Sequence, residues 1–186
     1  GQMGAAEEVL AEALAAGRAT GNHYAALTAL IFQGRVLAVR GQLHQAVDYF
    51  ESAVQQGKEI PINALAYMDL ATLHYEWNAL DVSDMHLQKA IELCQRSQNE
   101  EFLVGSLMFQ SRLRVAQGDL AGAEDALGQA RELIRSGKIP APMAERVDVA
   151  QARLLVAKGE PVGELEQKLT EKVDCHPFYR FLGVSK

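Results

Sequence analysis

An arginine recurs at matching positions in three segments of this chain, and its guanidinium is well suited to bind a ligand. The three arginines close the tripeptides Gln33-Gly-Arg, Gln110-Ser-Arg and Gln151-Ala-Arg, and a further segment carries Thr72 at the same position. A guanidinium offers a planar fork of donors that fits carboxylate, phosphate or sugar hydroxyl groups. Alternatively, Arg35, Arg112 and Arg153 are structural, pairing with an acid of the next repeat or covering apolar surface with their stems. Recurrence favours the structural role, because a ligand needs only some of them.

No set of residues in the sequence has the spacing of a catalytic or metal site. The phosphate-binding pattern G-x-x-x-x-G-K-[ST] is missing from the sequence. The five histidines share no metal-ligand spacing. The adjacent pair Cys175-His176 has no third group to orient it as a catalytic dyad. We therefore expect a protein that is not an enzyme and that holds no metal or cofactor.

Composition and charge argue against nucleic acid and membrane as partners. The 186 residues carry a net charge of −6, so the basic stripe that nucleic-acid binding needs is missing. The apolar runs are short and interrupted, so we expect no membrane contact. Two isolated cysteines without a CxxC pattern favour a reduced, cytoplasmic setting.

Four segments of the chain repeat one pattern. Each has a turn residue, a small residue five positions later, a large apolar residue at plus nine and alanine at plus twelve. The four sets are Gly1/Ala6/Leu10/Ala13, Gly41/Ala46/Phe50/Ala53, Asn78/Ser83/Leu87/Ala90 and Gly118/Ala123/Leu127/Ala130. Self-similarity at a period near 40 residues indicates a stacked array of repeats.

The apolar spacing between the turns is that of amphipathic helices, and no strand is expected. We predict an all-α solenoid that forms one domain over residues 1–186. Its helix hairpins are placed at about 23–57, 61–97, 100–136 and 142–173, with half-repeats at 4–17 and 177–186. The chain begins at a turn and ends inside a helix, so we also expect it to be a fragment of a longer protein.

The small residues of the pattern carry a resemblance to the tetratricopeptide (TPR) repeat. Gly34, Ala71, Ser111 and Ala152 stand at the eighth position of the first helix of each hairpin, where a small side chain lets the two helices approach closely. The chain departs from the standard motif in its longer spacing and in lacking most of the tryptophan and tyrosine of the first helix.

Two longer phrases are similar to one group of TPR-like proteins. LHYEWNALDVSDMHLQKAIELCQRS (73–97) and RLRVAQGDLAGAEDALGQARELI (112–134) resemble the central repeats of the MalT-like family of large ATP-binding LuxR-type transcription regulators. The resemblance implies a sensor region, preceded by an ATP-binding module and followed by a helix-turn-helix domain. ATP would then belong to the absent module, and this segment would contact no nucleic acid directly.

The resemblance also indicates where a ligand would bind. In a TPR hairpin the first helix lines the concave groove, and its ninth position, that of the recurrent arginines, faces that groove. The second, fifth and twelfth positions add further candidates, whose alternative role is packing between repeats. The binding candidates are Thr28, Ile31, Arg35, Leu65, Met68, Thr72, Tyr75, Met108, Arg112, Val115, Val149 and Arg153. The ligand would be a small-molecule inducer or a regulatory protein. The alternative function is a general TPR scaffold that binds a peptide or protein.

Overall fold

The computed structural model describes residues 2–57, 59–136 and 139–163, and every regular element among them is an α-helix. The eight helices are α1 (Gln2–Ala19), α2 (His23–Val39), α3 (Leu43–Gln56), α4 (Asn63–Glu76), α5 (Leu80–Arg96), α6 (Glu100–Ala116), α7 (Leu120–Arg135) and α8 (Ala141–Lys158). Within this described part of the chain, no helix is long and apolar enough to cross a membrane.

The turns between helices lie where glycine or asparagine was predicted to place them. Gly41, Asn78, Gly118 and Gly159 all have positive φ, at 79°, 57°, 79° and 73°. A residue without a Cβ, or with a short polar side chain, reaches this left-handed conformation at the lowest cost. The turn positions are therefore a direct consequence of residue type.

Side chains at the helix starts hold several of these turns. The Asn22 Oδ1 accepts a hydrogen bond from the Ala25 backbone N–H (3.0 Å), and Asn99 does the same for Phe102 (3.2 Å). At α7, Asp119 accepts from Gly122 (2.9 Å). Each cap satisfies a backbone donor that the first turn of a helix leaves without a partner.

The chain divides into two compact units at the Ser97–Gln98 bond. In the first unit, α1 to α5, the small eighth position lies against the following helix in two hairpins. A Cβ added to Gly34 would lie 2.6 Å from the Phe50 ring, so any larger residue there would force the ring to move. In the next hairpin, the buried Ser83 hydroxyl donates to the Ala71 carbonyl (2.7 Å). The predicted role of the small positions is thus visible in both hairpins.

The second unit, described from Gln98 to Gly163 apart from residues 137 and 138, has its own core between α6, α7 and α8. The core consists of Val104, Leu107, Ala123, Leu127, Ala130, Val147 and Leu154, each at most 2% exposed. It contains the small, large and small residues of the fourth repeat pattern, all on α7.

Several helix bounds differ from the predicted ones. Gly17 lies inside α1 instead of ending it, because α1 passes so close to α2 that a Cβ there would lie 2.8 Å from the Ala26 nitrogen. Helix α4 begins at Asn63 rather than Pro61, and α8 begins at Ala141 with Pro142 in its first turn.

The predicted packing face of α1 is also more exposed than expected. Ala6 and Ala13 are exposed, and Leu10 and Leu14 are half-buried. The second helix of the fourth hairpin (about 161–173) lies outside the described residues beyond Gly163, as do the half-repeat at 177–186 and Cys175-His176. The expectation of one domain over 1–186 stays a prediction.

Candidate partner-binding surface

One face of α2 carries large apolar side chains on the surface of the first unit. Tyr24, Phe32 and Val39 are 58%, 41% and 55% exposed. With the partly buried Thr28 and Arg35 they occupy positions i, i+4, i+8, i+11 and i+15, which lie along one face of a helix. We call these five residues the α2 stripe.

The Arg35 guanidinium holds the α2 stripe against α4. Its Nε donates to the Asp69 Oδ2 at 2.6 Å, and a terminal nitrogen donates to Oδ1 at 3.4 Å. The Phe32 ring lies on its other side, with its centroid 5.2 Å from the guanidinium carbon. Only 14% of the Arg35 side chain and 10% of the Asp69 side chain are exposed. This arginine therefore takes the predicted structural role of pairing with an acid of the next repeat.

Burial sets the electrostatics of this pair. It raises the pKa of Asp69 above its ordinary value, and the charge and hydrogen bonds of Arg35 oppose that rise. A carboxylate removed from water in this way depends on its cation, because the attraction and hydrogen bonds of that cation offset the lost hydration. The pair consequently joins the first helices of two successive repeats.

The other candidates in the first unit differ in their exposure. Ile31 has no exposed surface and Leu65 only 8%, so both are core residues and cannot touch a ligand in this conformation. Thr72 is 2% exposed, and its hydroxyl donates to the Met68 carbonyl (2.8 Å), so it too is closed to a ligand. The remaining candidates with exposed surface are Thr28, Met68 and Tyr75, and the Thr28 hydroxyl donates to the Tyr24 carbonyl (2.8 Å).

The candidates of the second unit lie on α6 and α8. Met108 and Val115 are partly buried and pack against the core of that unit, in line with the alternative role of packing. Arg112 and Val149 are partly buried, whereas Arg153 is exposed. That all three recurrent arginines line one groove stays a prediction.

Sequence reasoning missed Asp69 and the three exposed residues of the α2 stripe. The 34-residue separation of Arg35 and Asp69 gives no local signal for the ion pair. The spacing of Tyr24, Thr28 and Phe32 was a usable signal, because residues four apart share a helix face.

No group of three or more histidine, cysteine, aspartate or glutamate side chains with the geometry of a metal site occurs among the residues that the structure describes.

Paired helices with small residues at each seam define the class of protein: an all-α array of TPR-like helix hairpins. Within that class, the model of the MalT-like TPR region matches residues 1–176, and the chain belongs to this family. The family that the sequence phrases indicated is therefore confirmed.

Solved structures show the same fold at low identity. The TPR-like repeats of a putative kinesin light chain of Podosopora anserina share 20% identity, with a TM-score of 0.67 over 91% of this chain and 86% of that one. A second structure of that protein, in which methionine replaces one glutamine, gives a TM-score of 0.68, also at 20% identity, over 92% and 85% of the two chains.

BtubC (BKLC) from P. vanneervenii is similar too, at 16% identity, with a TM-score of 0.75 over 95% of this chain and 77% of that chain. These likenesses confirm the predicted solenoid fold. No curated protein matches the sequence.

Proposed function

We propose that this chain is the interaction and sensing region of a MalT-like transcription regulator, and that it binds a regulatory protein through the α2 stripe. Family membership supports the setting, and the exposure of Tyr24, Phe32 and Val39 on one helix face carries the binding proposal. Large exposed apolar groups on one face are typical of protein interaction sites. The expected cytoplasmic location belongs to the same proposal.

The length of the α2 stripe favours an elongated partner. Tyr24 and Val39 are fifteen residues apart, which is about 22 Å along a helix axis. A peptide segment with apolar side chains can cover that distance. Two polar side chains of the stripe already have intrachain partners, since the Thr28 hydroxyl bonds to the Tyr24 carbonyl and Arg35 to Asp69. Recognition would therefore depend mainly on apolar and aromatic contact, with specificity set by the spacing of the side chains.

A small-molecule inducer is the second candidate, and the positions of Met68 and Tyr75 favour it. They lie seven residues apart on one face of α4 and are both partly exposed. Methionine and tyrosine make an adaptable, partly apolar surface of the kind small ligands use. For either ligand, different affinities for two states of the regulator would convert binding into a change at a distant DNA-binding domain. A scaffold without such coupling would use the same surface.

The experiment begins by capturing the partner through a photo-crosslinking amino acid placed at Thr28. The captured protein is purified, and its affinity is measured by calorimetry for the parent chain and for Tyr24→Ala/Val39→Ala. The matched control is Met85→Ala on α5, which removes an equally exposed side chain (60%) away from the stripe. We expect the double variant to bind at least about tenfold more weakly with an unchanged thermal melt, and the control to bind normally.

Equal affinity of the double variant and the control would contradict a role for the α2 stripe. Calorimetry against oligosaccharides and other small metabolites tests the second candidate. Saturable binding that Met68→Ala weakens and Tyr24→Ala does not would assign the sensing role to the α4 face.

A further inference from the structure

Two partly buried imidazole rings, those of His74 and His86, lie stacked between α4 and α5 in the first unit. The ring centroids of His74 and His86 are 5.4 Å apart, and the planes differ by only 13°. The Tyr67 ring flanks His86 at 6.1 Å, and the Trp77 ring meets His74 edge-on at 5.6 Å. His44 of α3 extends the row by stacking on Trp77 at 5.1 Å. A row of five rings thus links three helices.

The surroundings of the ring nitrogen atoms in this stack favour the neutral form of the imidazoles. The Nδ1 atom of His86 is buried and accepts or donates no hydrogen bond among the described residues. A neutral imidazole can leave one nitrogen without a proton, whereas a protonated ring has an N–H at both nitrogens. Protonation of His86 would therefore bury either a donor without an acceptor or a charge without a counterion. A second charge on His74, one ring away, would add repulsion.

The surrounding charged groups give the pair little compensation. From α3, the carboxylate of Glu51 favours protonated His74, but the burial of His74 outweighs it and lowers the pKa. From α5, Lys89 is hydrogen-bonded to Glu92 at 2.6 Å.

The remaining charged groups near the stack have hydrogen-bond partners of their own. Asp84 of α5 accepts a hydrogen bond from Gln88 at 3.2 Å. On α2, Arg35 forms its ion pair with Asp69 of α4. On α4, the Tyr67 phenol that flanks His86 brings no negative charge, since burial raises its pKa.

We propose that the His74–His86 stack is a pH-responsive contact that joins α4 to α5 while both rings are neutral and loosens this hairpin when they take up protons. The contact would make the first unit acid-sensitive at pH values that leave the second unit folded. It would act apart from any partner at the α2 stripe.

The direction of the pH effect follows from the pKa shifts. Burial, and then the charge of His74, lower the pKa of His86 to about 4 from an ordinary value of 6.5. As the pH falls through 6.5, His86 becomes protonated in the unfolded chain but stays neutral in the folded chain. The free energy of unfolding therefore decreases. The loss accumulates down to about pH 4, where the folded form also protonates. Well above the ordinary histidine pKa, the stack contributes no pH dependence.

The test combines amide hydrogen exchange with histidine titration by NMR on the intact chain. Between about pH 7.5 and 5, we expect the opening constant of α5 to rise about tenfold more than that of α7, after correction for the intrinsic exchange rate. His74→Gln/His86→Gln should abolish this difference, and His23→Gln, which removes an exposed histidine outside the stack, should leave it intact.

Two results would overturn the proposal. One is an equal response of α5 and α7 to acid in the parent chain. The other is ring resonances of His74 and His86 that titrate at or above the ordinary histidine pKa of 6.5. Both results come from the parent chain, so they test the proposal even when the double variant fails to fold.

Discussion

Helices α1 and α7 carry the same repeat pattern, yet its residues are buried on α7 and largely exposed on α1. On α7, Ala123, Leu127 and Ala130 have no exposed surface, because α6 and α8 pack over them. On α1, Ala6 and Ala13 are exposed and Leu10 is half-buried. Among the described helices, α1 approaches α2 at Gly17, which lies on the same helix face as Ala6, Leu10 and Ala13 but one turn further along the helix. The pattern therefore specifies a face that can pack, and a neighbouring helix decides whether it does.

The exposure of the recurrent arginine also depends on the helices that pack around it. Arg35 is almost enclosed, with a carboxylate on one side and an aromatic ring on the other. Arg153 stands at the equivalent position on α8 and is exposed. One sequence position is thus almost enclosed in the first unit and exposed in the second.

The largest expected difference comes from removing these two arginines. Arg35→Ala should lower the free energy of unfolding by about 3–5 kcal/mol, because it leaves the buried Asp69 without its cation. Arg153→Ala should cost about 1 kcal/mol or less, because an interaction made by an exposed side chain contributes little to stability. Urea unfolding of both variants measures the difference. Similar losses would show that the Asp69 carboxylate is hydrated or protonated in solution.

Shortening the large residue of the repeat pattern compares α7 with α1 directly. Leu127→Ala removes atoms from a fully buried site and should cost about 2–5 kcal/mol. Leu10→Ala should cost about 1 kcal/mol or less, because water already reaches that side chain. Calorimetric melts give both values. A cost for Leu10→Ala close to that for Leu127→Ala would mean that the α1 face is covered in solution, for instance by another chain.

Enlarging a small residue also compares α7 with α1, with a smaller expected loss of stability. Ala123→Leu, and Ser111→Leu at the facing position of α6, should each cost about 1–3 kcal/mol by overpacking the seam between α6 and α7. Ala13→Leu on α1 should change stability by no more than about 0.5 kcal/mol. Thermal melts of the three variants test this, and an unchanged melt for Ala123→Leu would refute the assigned contact between α6 and α7.

The sequence was sufficient for the local features of the fold. Helix periodicity placed most helices within a residue or two, and glycine or asparagine marked the turns that now show positive φ at 41, 78, 118 and 159. These features depend on residues a few positions apart, where the physical rules are short-range. Gly17 was misread as a helix end because its reason, the close approach of Ala26, is a tertiary contact.

The candidate surface was only partly predictable, since its key contacts join different helices. The pairing of Arg35 with Asp69 and the stacking of His74 on His86 each depend on how two helices are rotated against each other. The sequence placed both histidines in one hairpin, but a shift of one residue in register would have separated their rings. The exposure of a side chain was harder still to predict from the sequence. Ile31 and Phe32 are neighbours in the chain, yet Ile31 is buried and Phe32 is 41% exposed.

The smallest expected effect is one that α1 and α7 should share. An added Cβ at Gly4 of α1 or at Gly128 of α7 meets nothing within 4 Å, and neither glycine has a positive φ. Alanine restricts the unfolded chain more than glycine does, so Gly128→Ala should raise the free energy of unfolding by about 0.5–1 kcal/mol. Gly4→Ala should gain somewhat less, since it lies in the first turn of its helix. Urea midpoints of the two variants measure these gains. A loss at Gly4 together with a gain at Gly128 would reveal a neighbour against the start of α1, and the contrast between the two helices would then be smaller than their exposure indicates.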